Sequence, residues 1–310
     1  MSAQKDLESP IVNVFAICTL MRPVELKLAL NSIDEQTTKP SMVVVIDGSK
    51  GSKILDVVQD FSAQSSIETV HLFSEQGLAL QRNNGLDFIM SRFPTETVIT
   101  HFIDDDVRID QGYMEEIVST FQSNPNAVCV GGRDMGRPRK RHALIGRLIG
   151  TDSKREGRVL SSGINVSISN LMEVSEVDWV SGMSQSFSLN RLGSTRFDSS
   201  INFHGEEVDM HVRCQEIGTI MWTPNAKLKH VPSGIGRPEW RVATRDMDSA
   251  RLNLCIAHPN RFRISAFWFS TIAHMILKGA QGIVFNDSHA RQTALGHGDF
   301  IAQRGFFSES

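Results

Sequence analysis

Three consecutive carboxylates, Asp104-Asp105-Asp106, follow the apolar run Val98 to Ile103. Like charges this close repel one another, and a bound divalent cation is the usual remedy. Hard oxygen donors of this kind suit magnesium, manganese or calcium. In an extended chain Asp104 and Asp106 project to one side and Asp105 to the other. A solvated turn after a strand is the competing use of such a triplet, so its meaning depends on what else reaches it.

Four other groups can do so. The run Val43 to Ile46 ends in Asp47-Gly48-Ser49, and open parallel sheets bind ligands beyond the carboxyl ends of their strands, so Asp47 and Asp104 can meet at one crevice. Arg82 and Asn83 lie in a segment that opens a helix after a strand, where an arginine fork suits a diphosphate. Glu206, Glu207 and Asp209 begin another helical pattern; they complement the helix dipole, or supply a general base if one of them faces an acceptor hydroxyl. Successive helical positions differ by about 100°, so Glu206 and Asp209 share a face and Glu207 points elsewhere. His230 leaves a short strand and is either structural or, beside a metal, a ligand.

The elements that must hold these residues alternate from Ile11 to about Val130. Short β-branched runs at Ile11 to Cys18, Met42 to Ile46, Thr69 to Phe73, Val98 to Ile103 and Ala127 to Val130 read as strands, with amphipathic stretches between them. That alternation predicts a parallel α/β sheet. The first helix starts at Arg22-Pro23, with Leu26, Ala29, Leu30 and Ile33 on one face. Others follow Ser52, Gly77 and Asp110. Between Arg133 and Arg158 the chain turns basic and loses its period, which predicts a loop; regular elements resume from Val177 to His230, and Pro232, Gly234, Gly236 and Pro238 suggest a boundary. The expected organisation is a tail at 1–10, an α/β domain at 11–235 with parts at about 11–131 and 160–235, and a mainly helical extension at 236–310.

Several classes are disfavoured. The 310 residues carry a formal charge of -3, which gives no bulk attraction to nucleic acid, and none is expected as a partner. Gly48 to Lys53 misses the spacing of a phosphate loop, and the junction Cys18 to Pro23 has no glycine, which removes the dinucleotide fingerprint. Four scattered cysteines form no framework and fit a reducing compartment. Met1 to Pro10 lacks the apolar core of a secretory signal, and the apolar run Ile264 to Leu277 is short of the ~20 residues that cross a bilayer. A cytoplasmic protein, at most peripheral at the inner face of a membrane, is expected. Phe262, Phe267, Trp268 and Phe269 among Arg261, Arg263 and Lys278 suit a membrane surface or a lipid-linked acceptor. Packing of this helix onto the preceding domain, or onto a second subunit in a homo-oligomer, is the more ordinary use of the same residues.

Taken in order, these segments resemble glycosyltransferase family 2 over about Ile11 to His230. Thr19-Leu20-Met21-Arg22-Pro23 stands where that family has its opening T-Y-N-R segment, with Ser32 and Gln36 after it; Asp47-Gly48-Ser49 matches its D-G-S, Arg82-Asn83-Asn84-Gly85 its R-N-x-G, Asp104-Asp105-Asp106 its D-x-D, and Gly205-Glu206-Glu207-Val208-Asp209 its G-E-D-x-D. The resemblance implies a GT-A fold, with a mostly parallel central sheet flanked by helices and a helical C-terminal extension. It also implies an inverting transfer of a sugar from a nucleotide-diphosphate donor to a carbohydrate or lipid-linked acceptor, with manganese or magnesium as cofactor, and makes 11–235 the catalytic domain, with nucleotide-sugar binding at about 11–131 and the acceptor side at about 160–235.

By that resemblance Thr19, Arg22, Asp47, Arg82, Asn83, Asp104 and Asp105 would bind the nucleotide sugar, and Asp106 and His230 the metal. Glu207 would be the catalytic base, although glutamate replaces the family's aspartate; Asp209 and Glu206 are the alternatives. Trp179 and Gly182 would lie on the acceptor side, Trp179 with an equal claim to be core. Two other readings keep the fold: a non-catalytic nucleotide or carbohydrate binder, and a sugar nucleotidyltransferase. The latter normally needs a glycine-rich basic loop after the first strand, which Thr19 to Pro23 lacks.

Overall fold

Val, Ile and Phe are concentrated in short runs that pair side by side, while the stretches between them coil and cover the faces of the resulting sheet. A computed structural model describes residues 10–138, 144–201, 205–234 and 238–304. In chain order the strands are β1 (Val12–Thr19), β2 (Met42–Asp47), β3 (Glu68–Phe73), β4 (Val98–Asp104), β5 (Val107–Ile109), β6 (Ala127–Asp134), β7 (Ser175–Val177), β8 (Ser184–Ser188) and β9 (Thr219–His230). The helices are α1 (Pro23–Asp34), α2 (Lys53–Gln64), α3 (Leu78–Arg92), α4 (Tyr113–Ser123), α5 (Leu144–Leu148), α6 (Leu189–Leu192), α7 (Glu206–Cys214), α8 (Trp240–Ala257), α9 (Ile264–Val284) and α10 (Ser288–Arg304).

The described residues divide into two compact units, one comprising 10–138, 168–201 and 207–234, the other 144–167, 205–206 and 238–304. The first holds a sheet in the order β3-β2-β1-β4-β8-β6-β9-β5, with β7 also paired to β9. β1 to β4 run parallel, as expected, and β6 runs parallel to β9, but β8 lies antiparallel between β4 and β6, and β5 and β7 are antiparallel to β9. Every residue of β2 is buried, so this central strand reads as a continuous apolar run rather than an alternating one. One core cluster joins Leu26, Leu30 and Ile33 of α1 to Phe15 and Ile17; another joins Val14, Ala16 and Val44 to Leu86 and Ile89 of α3.

The basic stretch is not wholly a loop. β6 continues through Arg133 to Asp134 because it pairs with β9, and Leu144–Leu148 forms a short helix. Arg139, Lys140 and Arg141 lie outside the described residues, as does Gly236 of the suggested boundary.

The second unit is mainly helical, built on α8, α9 and α10. Of its aromatic set, Phe262 and Phe267 are buried, and Phe267 and Trp268 each pack a ring against Phe300 with centroids 5.7 Å apart. Only Phe269 of that group is largely exposed. A buried network ties the three helices, with Asp248 Oδ1 2.9 Å from Arg251 Nη1, Asp248 Oδ2 2.5 Å from His297 Nδ1, and His297 Nε2 3.1 Å from His274 Nδ1. No helix among the described residues is long and apolar enough to cross a membrane.

Candidate active site

The carboxyl ends of β1, β2 and β4 come together because the three strands are in register, Thr19 opposite Asp47 and Cys18 opposite Asp104. Gln81 of α3 fastens the first two, its Nε2 donating to the carbonyls of Ile46 (2.8 Å) and Thr19 (3.1 Å). The α3 backbone can approach β2 because Gly85 faces it; a Cβ there would lie 3.0 Å from Ile46 Cδ1. After β1 the chain turns without glycine, and Met21 itself takes the left-handed conformation (φ 55°) with its N–H on Ser49 Oγ at 2.7 Å. Such a conformation is costly for a non-glycine residue and is tolerated where the surroundings fix it. It delivers Arg22 to the acidic turn.

Alternation along the strand ends at Asp104, since Asp105 and Asp106 form the turn between β4 and β5. The expected separation of Asp105 from Asp106 is therefore not found, and both face Arg22, whose Nη1 is 3.0 Å from Asp105 Oδ1 and 3.5 Å from Asp106 Oδ2. Asp105 points inward and also accepts a 2.8 Å bond from Thr19 Oγ1. Burial pushes its carboxyl up to about 6, against the opposing pull of Arg22 and Thr19. Burial acts on Asp106 in the same direction. There, however, His230, the Ser233 N–H and Arg22 outweigh it and hold the carboxyl at about 2. His230 Nε2 is 3.2 Å from Asp106 Oδ1, and Ser233 N is 3.1 Å from Oδ2.

Arg82 is buried rather than a surface arginine. Its Nη2 donates to the Gly182 carbonyl (3.1 Å) and lies 3.7 Å from Asp104 Oδ1, with the guanidinium 5.3 Å from the centre of the Phe197 ring. Asn83 faces away from this cluster and clamps the Phe197 backbone from both sides, Nδ2 donating to its carbonyl (2.9 Å) and Oδ1 accepting from its N–H (2.8 Å). Asp47 stands at the same rim but is itself buried, with Oδ1 accepting from Ser49 N (2.7 Å) and Oδ2 3.1 Å from His71 Nε2.

α7 carries three carboxylates near its start, Glu206, Glu207 and Asp209. Glu206 and Asp209 are buried, and Glu207 is half-buried. Asp209 Oδ2 takes two bonds from Arg213, at 2.9 Å and 2.6 Å, and Arg213 Nη1 donates to the Arg196 carbonyl. Trp179 lines a pocket with Ser181, Met183, Trp222, Arg133 and Asp134. Gly182 sits between two of these residues, and its closeness to Arg82, 3.0 Å from an added Cβ to Nη2, explains the absence of a side chain. None of the described lining residues belongs to α7.

Sequence reasoning missed His71, Gln81, Ser233, Asp134 and Trp222. His71 and Trp222 lie within strands, where nothing in a single sequence separates an inward polar or aromatic residue from an ordinary one. Gln81 and Asp134 stand next to the more conspicuous Arg82 and Arg133, and their partners are remote in the chain.

Residues 15–166 match the Glycosyl transferase family 2 model. This segment is a glycosyl transferase family 2 domain. The chain is also similar to the glucosyl-dolichyl phosphate glucuronosyltransferase of Haloferax volcanii, 31% identical over 105 residues, which cover 33% of this chain and 31% of that relative. The aligned stretch thus spans about a third of the relative's length. In fold, the chain that carries the family 2 domain is similar to a mannosyltransferase from Pyrobaculum calidifontis solved with GDP-Man and Mn2+, with TM-score 0.57 and 14% identity over 97% of this chain and 90% of that one. It is also similar to TarS 1-349 of S. aureus solved with UDP, with TM-score 0.52 and 13% identity over 90% of this chain and 73% of that one. These likenesses establish the GT-A architecture, with C-terminal helices added.

Proposed function

We propose that this chain is a metal-dependent, inverting glycosyltransferase that moves a sugar from a nucleotide-diphosphate donor to an acceptor hydroxyl, in the synthesis of a polysaccharide or glycoconjugate. The observation that carries the reading is the acidic turn at the carboxyl end of β4, where Asp104 meets the buried Arg82 and Asp106 meets His230. The solved neighbours carry UDP or GDP-Man, the latter with Mn2+.

The donor set fits a divalent ion held jointly by protein and substrate. Asp106 Oδ1 and His230 Nε2 stand 3.2 Å apart, near the ~3 Å that separates neighbouring ligands of an octahedral ion with bonds of about 2.1 Å. Asp106 and His230 would supply protein ligands, and diphosphate oxygens and water would complete the coordination. When bound, manganese or magnesium would neutralise charge on the departing nucleotide diphosphate.

The rest of the chemistry belongs to side chains. Arg82, held by the Gly182 carbonyl and removed from water, adds fixed positive charge on the donor side, where a buried group acts more strongly than an exposed one. Thr19, Arg22 and Asp105 brace the acidic turn. Glu207, the carboxylate of α7 that retains access to water, takes the acceptor proton as the hydroxyl attacks the anomeric carbon opposite the leaving group. The protein works in the cytoplasm, at most peripherally on a membrane.

A thermal-shift series with UDP, GDP, dTDP and their sugars tests this reading. One nucleotide should stabilise the protein only when manganese or magnesium is present. Equal stabilisation with and without metal would remove the metal from the proposal, and no stabilisation by any nucleotide would remove the donor.

A further inference from the structure

The pocket beside Trp179 is set by a defect in strand pairing. β6 slips register against β9 between Gly131 and Arg133. The chain can pass there because neither glycine carries a side chain: a Cβ on Gly131 would lie 2.5 Å from Val180 Cβ, and one on Gly132 would lie 2.4 Å from the Ala226 carbonyl. Bulges of this kind redirect the residues beyond them. Here those residues are Arg133 and Asp134, and both line the pocket, with Arg137 a few positions further on.

The charges are unequal. Asp134 Oδ1 already accepts the N–H groups of Gly136 (2.9 Å) and His230 (3.3 Å). Arg133 contacts the Met172 thioether at 3.5 Å, and neither Arg133 nor Arg137 forms an ion pair with a carboxylate among the described residues. Two guanidinium groups thus share the pocket with one carboxylate that is partly engaged. Trp179, Trp222 and Ser181 belong to the same lining, a combination of apolar surface and hydrogen-bonding capacity of the kind that meets a sugar ring. The turn carrying Ser181 also offers the Gly182 carbonyl to Arg82, so the wall of this pocket is tied directly to the donor-side arginine.

We infer that this pocket receives the acceptor and selects one that carries an anionic group, a carboxylate or a phosphate, next to the sugar ring. Arginine forks match both anions, and the two indoles in the same lining offer an apolar surface to the ring. The inference rests on the proposed transferase function. It adds a charge requirement that the family assignment does not contain.

Ligand-observed NMR and calorimetry with glucuronate, glucose 1-phosphate and glucose test it, alongside binding of UDP and GDP with manganese. At least one of the two anionic sugars should bind, and the better of the two identifies the anion, while glucose should bind at least tenfold more weakly. Arg133→Gln combined with Arg137→Gln should abolish that preference and leave nucleotide affinity within about twofold. If the nucleotide binds while glucose matches the anionic sugars, neither anionic sugar binds, or the double variant keeps the preference, the inference falls and the transferase reading stands. If no nucleotide binds the unaltered protein, the underlying reading itself falls.

Discussion

Asp106 and His230, 124 positions apart in the chain, face each other at 3.2 Å because β5 pairs antiparallel with β9 so that Val107 lies opposite His230. Asp106 is the residue just before that pair. Its second oxygen is held by Ser233 N, so the carboxylate is fixed in direction as well as in position. Asp106→Ala should abolish metal-dependent nucleotide binding in calorimetry, and His230→Gln should weaken it. A folded Asp106→Ala protein that binds nucleotide as before, still dependent on manganese, would refute the role given to this carboxylate.

Asp105 has a different task. Buried and bonded to Thr19 and Arg22, with its carboxyl pushed up to about 6, it bears charge only at a cost. Asp105→Asn, which keeps the shape and one acceptor, should melt within a few degrees of the parent. Asp105→Ala should lose about 1–3 kcal/mol in urea denaturation, because Thr19 and Arg22 are left with unmade bonds. Equal stability of the two variants would show that the bracket contributes nothing.

The proposed base Glu207 and the Arg213-paired Asp209 lie on one helix and can be told apart by substitution. Glu207→Gln should retain donor and metal affinity while turnover falls by ~10²-fold or more, the usual scale for loss of a general base. Asp209→Asn should leave most of the turnover and lower stability by about 1–3 kcal/mol, since Arg213 then loses its charged acceptor. Turnover that survives in the first variant and disappears in the second would move the base to the buried face.

Asn83 gives an equally direct test. Both ends of its amide are used on the Phe197 backbone, so Asn83→Ala should lower the melting temperature by several degrees through two buried groups left unsatisfied. Donor affinity, measured well below that melting temperature, should change less than in Arg82→Gln. A variant that melts normally and has lost donor affinity would return Asn83 to the binding surface.

Acid sensitivity should come from buried histidines. Burial pulls His101 and His211 down to about 3, with Arg82 adding to the effect at His211, whereas both titrate near 6.5 once unfolded. Their neutral forms belong to the fold. Their contribution is therefore complete above pH ~6.5 and is lost as pH falls toward 3, at about 1.4 kcal/mol per pH unit for each histidine. Denaturant titrations across that window should show this slope, and His101→Gln should flatten it by one histidine's share; an unchanged slope would locate the sensitivity elsewhere.

The parallel half of the sheet was legible because its evidence is local: β-branched runs, Pro23 at a helix start and acids at strand ends all sit within a few residues of what they specify. The partners of those acids were less legible. That Asp105 turns inward depends on Arg22 reaching it, which requires Met21 in a left-handed conformation that no residue type announces. The antiparallel entry of β8 between β4 and β6 was hidden for a related reason, since pairings such as Phe102 with Gln185 span most of the domain and leave no period in the sequence. Asn83 and Arg82 were read as one motif, yet adjacent helical positions point in different directions, and only one of the two reaches the acidic turn.

The pairing of β5 with β9 also dictates when the site can exist. During synthesis, β1 to β4, with Asp47, Arg82 and Asp104, leave the ribosome long before β9 is made, and a nascent chain at that stage lacks both the strand that braces β5 and the imidazole opposite Asp106. The first four strands thus cannot complete this pair as an autonomous fragment. Closing so distant a contact is among the slowest steps available to a folding chain. The Asp106–His230 contact is thereby deferred until residue 230 has emerged, and an incompletely translated copy carries the acidic turn without its imidazole partner.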